Sequence, residues 1–143
     1  MSAEKKPQVV LGFDFGMQYI GVAVGQTITG TASALVTINR AQKKIDWSVF
    51  AALISDWSPE RLLVGMPPGF EASDQPLLDA VKRFARRLNG RFNLPVEFVD
   101  EHLSSYEARQ IIYADKKPRG GAERITDQYA AQVIVQTWLN ENV

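Results

Sequence analysis

Asp14 lies in the stretch Gly12-Phe13-Asp14-Phe15-Gly16, at the C-terminal end of an apolar run that begins at Val9. On an extended strand alternate side chains point to opposite faces. Val9, Leu11, Phe13 and Phe15 therefore share one face, and Val10, Gly12, Asp14 and Gly16 the other. A carboxylate on a strand that otherwise reads as core needs a partner, a metal or a raised pKa. The plainer alternative is a surface aspartate at the end of an edge strand. Gly12 and Gly16 leave Asp14's own face shallow enough for a phosphate or an ion to approach. Two more carboxylates could converge on it. Glu101 follows the strand-like run Val96 to Asp100, and alternation sends Asp100 and Glu101 to opposite faces, so only one of them can share a face with Asp14. Asp127 precedes Ala131, Ile134 and Trp138 by one, two and three helical turns, which places it at the head of an inward face. An aspartate in a first helical turn is commonly explained by the helix dipole alone; one on the inward face is less easily explained that way. Three carboxylates brought together repel one another and raise one another's pKa unless a divalent cation sits among them. Mg²⁺ or Mn²⁺ on carboxylate oxygens resolves that conflict. Two such ions about 3.5–4 Å apart can activate a water and stabilise the leaving oxygen of a phosphodiester.

Composition leaves room for little other chemistry. The chain contains no cysteine, which excludes thiol nucleophiles, zinc fingers and iron–sulfur sites and fits a reducing compartment. His102 is the only histidine, so most zinc enzymes are also excluded. The 16 basic and 16 acidic residues balance, so a polyanion would have to be held by a local cluster. The N-terminus is polar, and the run after it is too short and too interrupted for a signal peptide or a membrane span. A cytoplasmic protein without membrane association is expected.

The elements that must position the carboxylates follow from periodicity. Ile20 to Val24 and Ala32 to Ile38 alternate like strands and are separated from Asp14 and from each other by turn-prone residues. They predict three consecutive antiparallel strands, the second so rich in small residues that something must pack closely on it. Trp47, Phe50, Ala51 and Ile54 then recur at helical spacing behind Asp46 as N-cap, and Pro59 closes that helix. Arg61 to Gly65 reads as a strand that Met66-Pro67-Pro68-Gly69 cannot continue. A second helix is expected from about Gln75 to Asn89, with Leu77, Val81, Phe84, Ala85 and Leu88 inward and Asn89-Gly90 as its stop. Ser104 with Glu107 forms a capping box that opens a helix carrying Ala108, Ile111 and Ile112. The last helix is expected from Thr126 to about Asn140.

Basic residues cluster in two places. Lys82, Arg83, Arg86 and Arg87 occupy the outer face of the second helix, with Arg91 just beyond. They read either as cations solvated near a helix C-terminus or as a nucleic-acid contact. Lys116, Lys117 and Arg119, with Arg124 after them, lie in or beside an aperiodic stretch over 114–124. It is expected to be a mobile loop, either a basic flap over a polyanion or a plain solvated connection.

The 143 residues suffice for one domain, burying roughly 70% of the unfolded surface without staples. Residues 1–7 are expected to be flexible. Strand–helix–strand crossovers make the later strands parallel. The predicted class is therefore α/β, a five-stranded mixed sheet of three antiparallel and then two parallel strands flanked by helices. In such sheets sites form at the carboxyl ends of strands, where Asp14 and Glu101 fall. No internal repeat, P-loop, dinucleotide-binding or nucleophile-elbow motif occurs.

The segments GFDFGMQYIGVAVG, LLVGMPP, VDEHLSSYEAR and TDQYAAQVIV, in this order and spacing, resemble the YqgF (RuvX) family of RNase H-like nucleases from about Val9 to Leu139. The resemblance implies an RNase H-like fold, cytoplasmic location and maturation of the 5′ end of pre-16S ribosomal RNA. Older descriptions of the family imply resolution of Holliday junctions. Carried across by motif, the family's acidic residues match Asp14, Glu101 and Asp127. They are thus the implied catalytic residues and ligands of Mg²⁺ or Mn²⁺. Lys82, Arg83, Arg86, Arg87, His102, Lys116, Lys117, Arg119 and Arg124 are the candidate nucleic-acid contacts. His102 stands where the family usually has arginine, which turns a fixed cation into a group mostly neutral at pH 7. Gly69 stands where relatives often carry asparagine. Both departures touch substrate contacts rather than the carboxylates. The expected partner is RNA, with a DNA junction as alternative, acted on by a monomer or weak homodimer. Two other readings fit parts of the sequence. One is an RNA-binding ribosome-assembly factor without turnover. The other is half of an actin- or hexokinase-like ATPase, for which the chain is too short to supply a second lobe.

Overall fold

A computed structural model describes residues 6–40, 42, 44–66, 75–100 and 123–143, with the side chains of 75 and 123–126 left aside. Its elements run β1 (Val9–Phe15), β2 (Tyr19–Gln26), β3 (Thr31–Asn39), α1 (Trp47–Trp57), β4 (Arg61–Met66), α2 (Gln75–Phe92), β5 (Val96–Asp100) and α3 (Glu123–Asn142). The five strands form one sheet in the order β3-β2-β1-β4-β5. β1 pairs antiparallel with β2 along its whole length, from Val9 opposite Gln26 to Phe15 opposite Ile20. On its other side it pairs parallel with β4, and β4 pairs parallel with β5. The expected mixed sheet is therefore present, with the strand of Asp14 at its centre.

The two faces of the sheet are built from different residues. Leu11, Phe13 and Phe15 of β1, with Ile20 and Val22 of β2 and Leu62 and Val64 of β4, bury one face against Phe50 of α1 and Leu78, Val81, Phe84 and Leu88 of α2. Phe13 meets Phe84 edge-on at 5.8 Å between ring centroids and Phe50 at 5.6 Å, a contact that large rings make well. The opposite face carries Val10, Gly12, Gly21, Ala23 and Gly25. Over it lies α3, contributing Ala131, Ile134, Val135, Trp138 and Leu139. A Cβ built on Gly12 or on Gly25 would run into the Val135 side chain, so the small residues of β1 and β2 set how deeply α3 can sit.

Capping follows sequence chemistry where local signals are strong. The Asp46 carboxylate accepts from the Ser48 N–H at 3.1 Å and opens α1. Ser58, in the left-handed region at φ 46°, closes it by donating its N–H to the Ile54 carbonyl. Three details of the helices differ from expectation. α2 runs past Asn89-Gly90 to Phe92 and stops at Asn93, whose φ of 54° makes the turn. Phe92 and Arg91 both pack on Trp47 of α1, with ring centroids 6.3 Å apart for the first and the guanidinium 4.6 Å from the ring centroid for the second. That contact holds one more helical turn than the local stop signal allows. Within α2 it is Leu78 that is buried, while Leu77 is only half-buried. α3 begins at Glu123, so Glu123 and Arg124 of the expected 114–124 loop are helical. The rest of that loop, the helix expected after Ser104, Gly69 and residues 1–5 lie outside the described residues.

Candidate active site

Asp14 is half-buried at the end of β1 and directed to the α3 face, as alternation from Gly12 requires. Its cross-strand partner on β2 is Gly21. A Cβ on Gly21 would coincide with the backbone carbonyl of Asp127, and the amide nitrogen of Gln128 would lie 2.8 Å from it. The backbone of α3 therefore rests on the glycine registered against Asp14. Directly opposed residues in an antiparallel pair have their Cα atoms about 4.5–5.5 Å apart. Asp14 and Asp127, separated by more than a hundred positions in the chain, consequently occupy one residue row at the same end of the sheet. Both make polar interactions there.

Asp127 follows four helical residues of α3 rather than heading its first turn. Its backbone N–H already has an intrahelical carbonyl in reach, so capping the helix start does not account for it. The same row continues to β3, where Thr37 is registered against Gly21. The Thr37 hydroxyl donates to the Gln128 side-chain oxygen at 3.3 Å and ties the helix beside Asp127 to the sheet. One and two turns further on, Gln132 donates to the Ala32 carbonyl at 3.0 Å. Gln136 accepts from the Ala32 N–H at 3.1 Å and donates to the Gly30 carbonyl at 2.9 Å. Three glutamines at helical spacing thus fix the axial register of α3 against the edge strand.

The turn after Asp14 is held from β3. Arg40 donates one guanidinium nitrogen to the Gly16 carbonyl at 3.1 Å and to the Met17 carbonyl at 3.0 Å. Its own N–H reaches the Gln18 carbonyl at 2.7 Å, and the Gly16 N–H closes the turn on Tyr19 at 2.9 Å. The guanidinium lies 4.7 Å from the centroid of Phe15. Desolvation by burial lowers the Arg40 pKa from its usual value. Arg40 escaped the sequence reading because no motif marks it. The one available signal was its position just after the strand that pairs with β2.

Of the candidate site residues, Asp14 and Asp127 are brought together. Glu101 lies outside the described residues, immediately after β5. Val99 of β5 is buried with Leu63 and Val10 on the α3 face, and Asp100 is exposed on the other. Asp100 therefore does not share a face with Asp14. Among the described residues, no group of three histidines, aspartates or glutamates assembles a metal cage. The basic residues of α2 are all exposed but do not form a single patch. Lys82 and Arg86 border a cavity of about 350 Å³ with Asn89 and Phe98, whereas Arg83 and Arg87 border another on the far side of the helix. His102, Lys116, Lys117 and Arg119 lie outside the described residues, and Arg124 sits in the first turn of α3. No described helix is long and apolar enough to cross a membrane.

The chain matches the model of the RuvX family, described as Holliday junction resolvase, over residues 8–141. A Nitrosococcus oceani protein named "Putative pre-16S rRNA nuclease" is 48% identical over 136 residues, covering 95% of this chain and 89% of its own. A Pseudomonas paraeruginosa protein of the same name is 40% identical over 142 residues, covering 99% of each. Among solved structures, Thermus thermophilus RuvC in complex with Holliday junction substrate superposes with a TM-score of 0.62 at 12% identity, over 94% of both chains. That likeness establishes the shared RNase H-like fold.

Proposed function

The chain belongs to the RuvX family of nucleases with an RNase H-like fold, and from that membership we propose that it hydrolyses phosphodiester bonds of pre-16S ribosomal RNA with the help of divalent metal ions. The observation that carries this reading is the seat of α3 on Gly21, which sets Asp127 beside Asp14 at the carboxyl end of β1. Hard oxygen donors on two rigid elements suit Mg²⁺ or Mn²⁺. Asp14 and Asp127 would hold the metal, with Glu101 as third carboxylate one position beyond β5. When bound, such ions lower the pKa of water and offset charge on the leaving oxygen.

The chain's own residues supply the rest. Pairing of β1 with β2 through Asp14, and with β4 as far as Phe13, fixes the backbone at Asp14, so little ordering remains when substrate arrives. The glutamine contacts of α3 do the same for Asp127. Cationic side chains at the margin, among them Arg83, Arg86, Arg87 and Lys82, would hold backbone phosphates, while His102, Lys116, Lys117, Arg119 and Arg124 extend the candidate contact set. Cleavage would leave a 3′-hydroxyl and a 5′-phosphate. The work belongs in the cytoplasm during ribosome biogenesis.

A second reading, cleavage of four-way DNA junctions, is favoured by the family description and by the fold shared with RuvC. Paired cuts would call for a symmetric dimer. Calorimetric titration of Mn²⁺ into the wild type and into Asp127→Asn tests the metal site without any nucleic acid. The wild type is expected to bind and the variant to lose affinity by about 10-fold or more. Equal affinity in both proteins would remove Asp127 from the site.

A further inference from the structure

Lys82, Ala85, Arg86 and Asn89 recur at helical spacing on α2, and Val96 and Phe98 are alternate residues of β5. The two stripes face each other across a groove of about 350 Å³ at the β5 end of the sheet. Phe98 leaves 45% of its surface open there and is the one aromatic among the large apolar side chains exposed in the described residues. Lys82, Arg86 and Asn89 are exposed along the same groove. We propose that this groove binds an unpaired nucleotide of the nucleic-acid substrate, with its base stacked on Phe98 and its flanking phosphates on Lys82 and Arg86. The proposal rests on the nuclease reading and deepens it. The substrate is single-stranded close to the bond that is cut, which favours an unpaired RNA segment over the paired arms of a four-way junction.

An aromatic face flanked by cations is the arrangement by which single strands are held, because every base has a face that stacks and every nucleotide a phosphate. Phe13, Phe15, Phe50 and Phe84 pack their rings on one another and on Trp47 in the core. Phe98 instead projects from the last strand of the sheet. Opposite it α2 presents the small, buried Ala85 between two long cationic side chains, so the floor of the groove is apolar and its rim basic. Asn89 closes one end, and its side-chain nitrogen donates to the Leu94 carbonyl at 2.9 Å, which fixes the amide before a ligand arrives. Glu97 lies on the other face of β5, where it pairs with Arg61 and accepts from the Trp138 indole. Asp100, two positions past Phe98 on the same face, does not line the groove. The volume reaches the roughly 300 Å³ at which small-molecule pockets begin, enough for one base. Strand register ties the groove to the carboxylates. Phe98 is registered with Val64 of β4, and Val64 with Phe13, the neighbour of Asp14. Two strand spacings, about 10 Å, therefore separate β5 from β1 at this height, short enough for one nucleic-acid strand to touch both.

Binding of a short single-stranded RNA, and of an abasic ribose-phosphate chain of the same length, is measured in EDTA for the wild type, Phe98→Leu and Phe98→Tyr. Leucine keeps apolar bulk and removes the ring. Phe98→Leu is expected to lose tenfold or more in affinity for the RNA and nothing for the abasic chain, while Phe98→Tyr keeps the wild-type affinity for both. Lys82→Gln/Arg86→Gln is expected to weaken both ligands and to lower the logarithmic salt slope by about 1.4. A fully paired RNA duplex is expected to bind the wild type and Phe98→Leu alike. In the wild type, the aromatic NMR signals of Phe98 are expected to move upfield and saturate as the single strand is added, while those of the buried Phe13 and Phe84 stay in place. That measurement needs no variant. An unmoved Phe98 signal, or equal RNA affinity in Phe98→Leu and the wild type, would overturn the proposal and leave the groove to another occupant such as a peptide. Equal losses for the RNA and the abasic chain would mean that no base stacks on the ring and would also contradict it. If the wild type stacks RNA on Phe98 but cleaves none with Mg²⁺ or Mn²⁺, the subsite stands and the nuclease reading fails. Cleavage by a wild type whose Phe98 ignores RNA has the opposite meaning.

Discussion

Gly21 is the residue on which the spacing of the two aspartates depends. A methyl group there meets the backbone of Asp127, which cannot rotate aside as a side-chain tip can. Gly25 differs, because an added methyl meets only the side chains of Val135, Leu139 and Val10. Both alanine substitutions overpack the α3 interface and are expected to cost about 1–3 kcal/mol. Their consequences for catalysis should diverge. Assayed well below its melting temperature, Gly21→Ala is expected to lose cleavage with Asp127 displaced, whereas Gly25→Ala keeps it. Equal activity in the two variants would mean that the seat of α3 on Gly21 does not position the site. At this scale much was legible in the sequence. Alternation alone assigned Asp14 to the face opposite Phe13 and Phe15, and the helical repeat of Asp127, Ala131, Ile134 and Trp138 assigned Asp127 to the inward face. The closeness of the two aspartates was not legible, because it depends on strand register and on Gly21 lying opposite Asp14.

Among the elements, α3 carries the greatest positional demand, since it must cross the sheet at one height to bring Asp127 into the row of Asp14. Its glutamines supply that register and also satisfy outward backbone groups of the edge strand, which would otherwise offer themselves to another chain. Replacing Gln136 with leucine leaves the Ala32 N–H and the Gly30 carbonyl without this partner. The expected cost is about 1–3 kcal/mol, or roughly 3–10 °C in Tm, with increased self-association at high concentration. A thermal scan together with light scattering checks both, and an unchanged Tm would remove the glutamines from the register argument. Periodicity identified every described strand and helix, and its failures have local causes. The Asn89-Gly90 stop in α2 is overridden by packing of Arg91 and Phe92 on Trp47. The start of α3 was misplaced because the residues before Thr126 carry no apolar repeat from which a boundary could be drawn. The grouping of the α2 cations by pocket was likewise invisible, since residues three and four apart look equivalent until the neighbours on each side are known.

At the scale of the whole molecule, the sheet separates two tasks. One face holds a large aromatic core that gives β1 a fixed backbone, and the other is trimmed to glycine and alanine so that α3 can bring its carboxylate down to that strand. With no net charge to attract a polyanion, substrate affinity must come from local cationic side chains such as the exposed ones of α2. The central claim is that Asp14 belongs to a metal-dependent phosphodiester-cleaving centre. The most direct test is cleavage of a pre-16S-like RNA and, separately, of a four-way DNA junction, with Mg²⁺ or Mn²⁺ and with EDTA, by the wild type beside Asp14→Asn. Metal-dependent cleavage of the RNA is expected, reduced at least about 100-fold in the variant, with no loss of thermal stability in the metal-free protein. Cleavage that persists in Asp14→Asn or in EDTA would contradict a carboxylate–metal centre at this strand end.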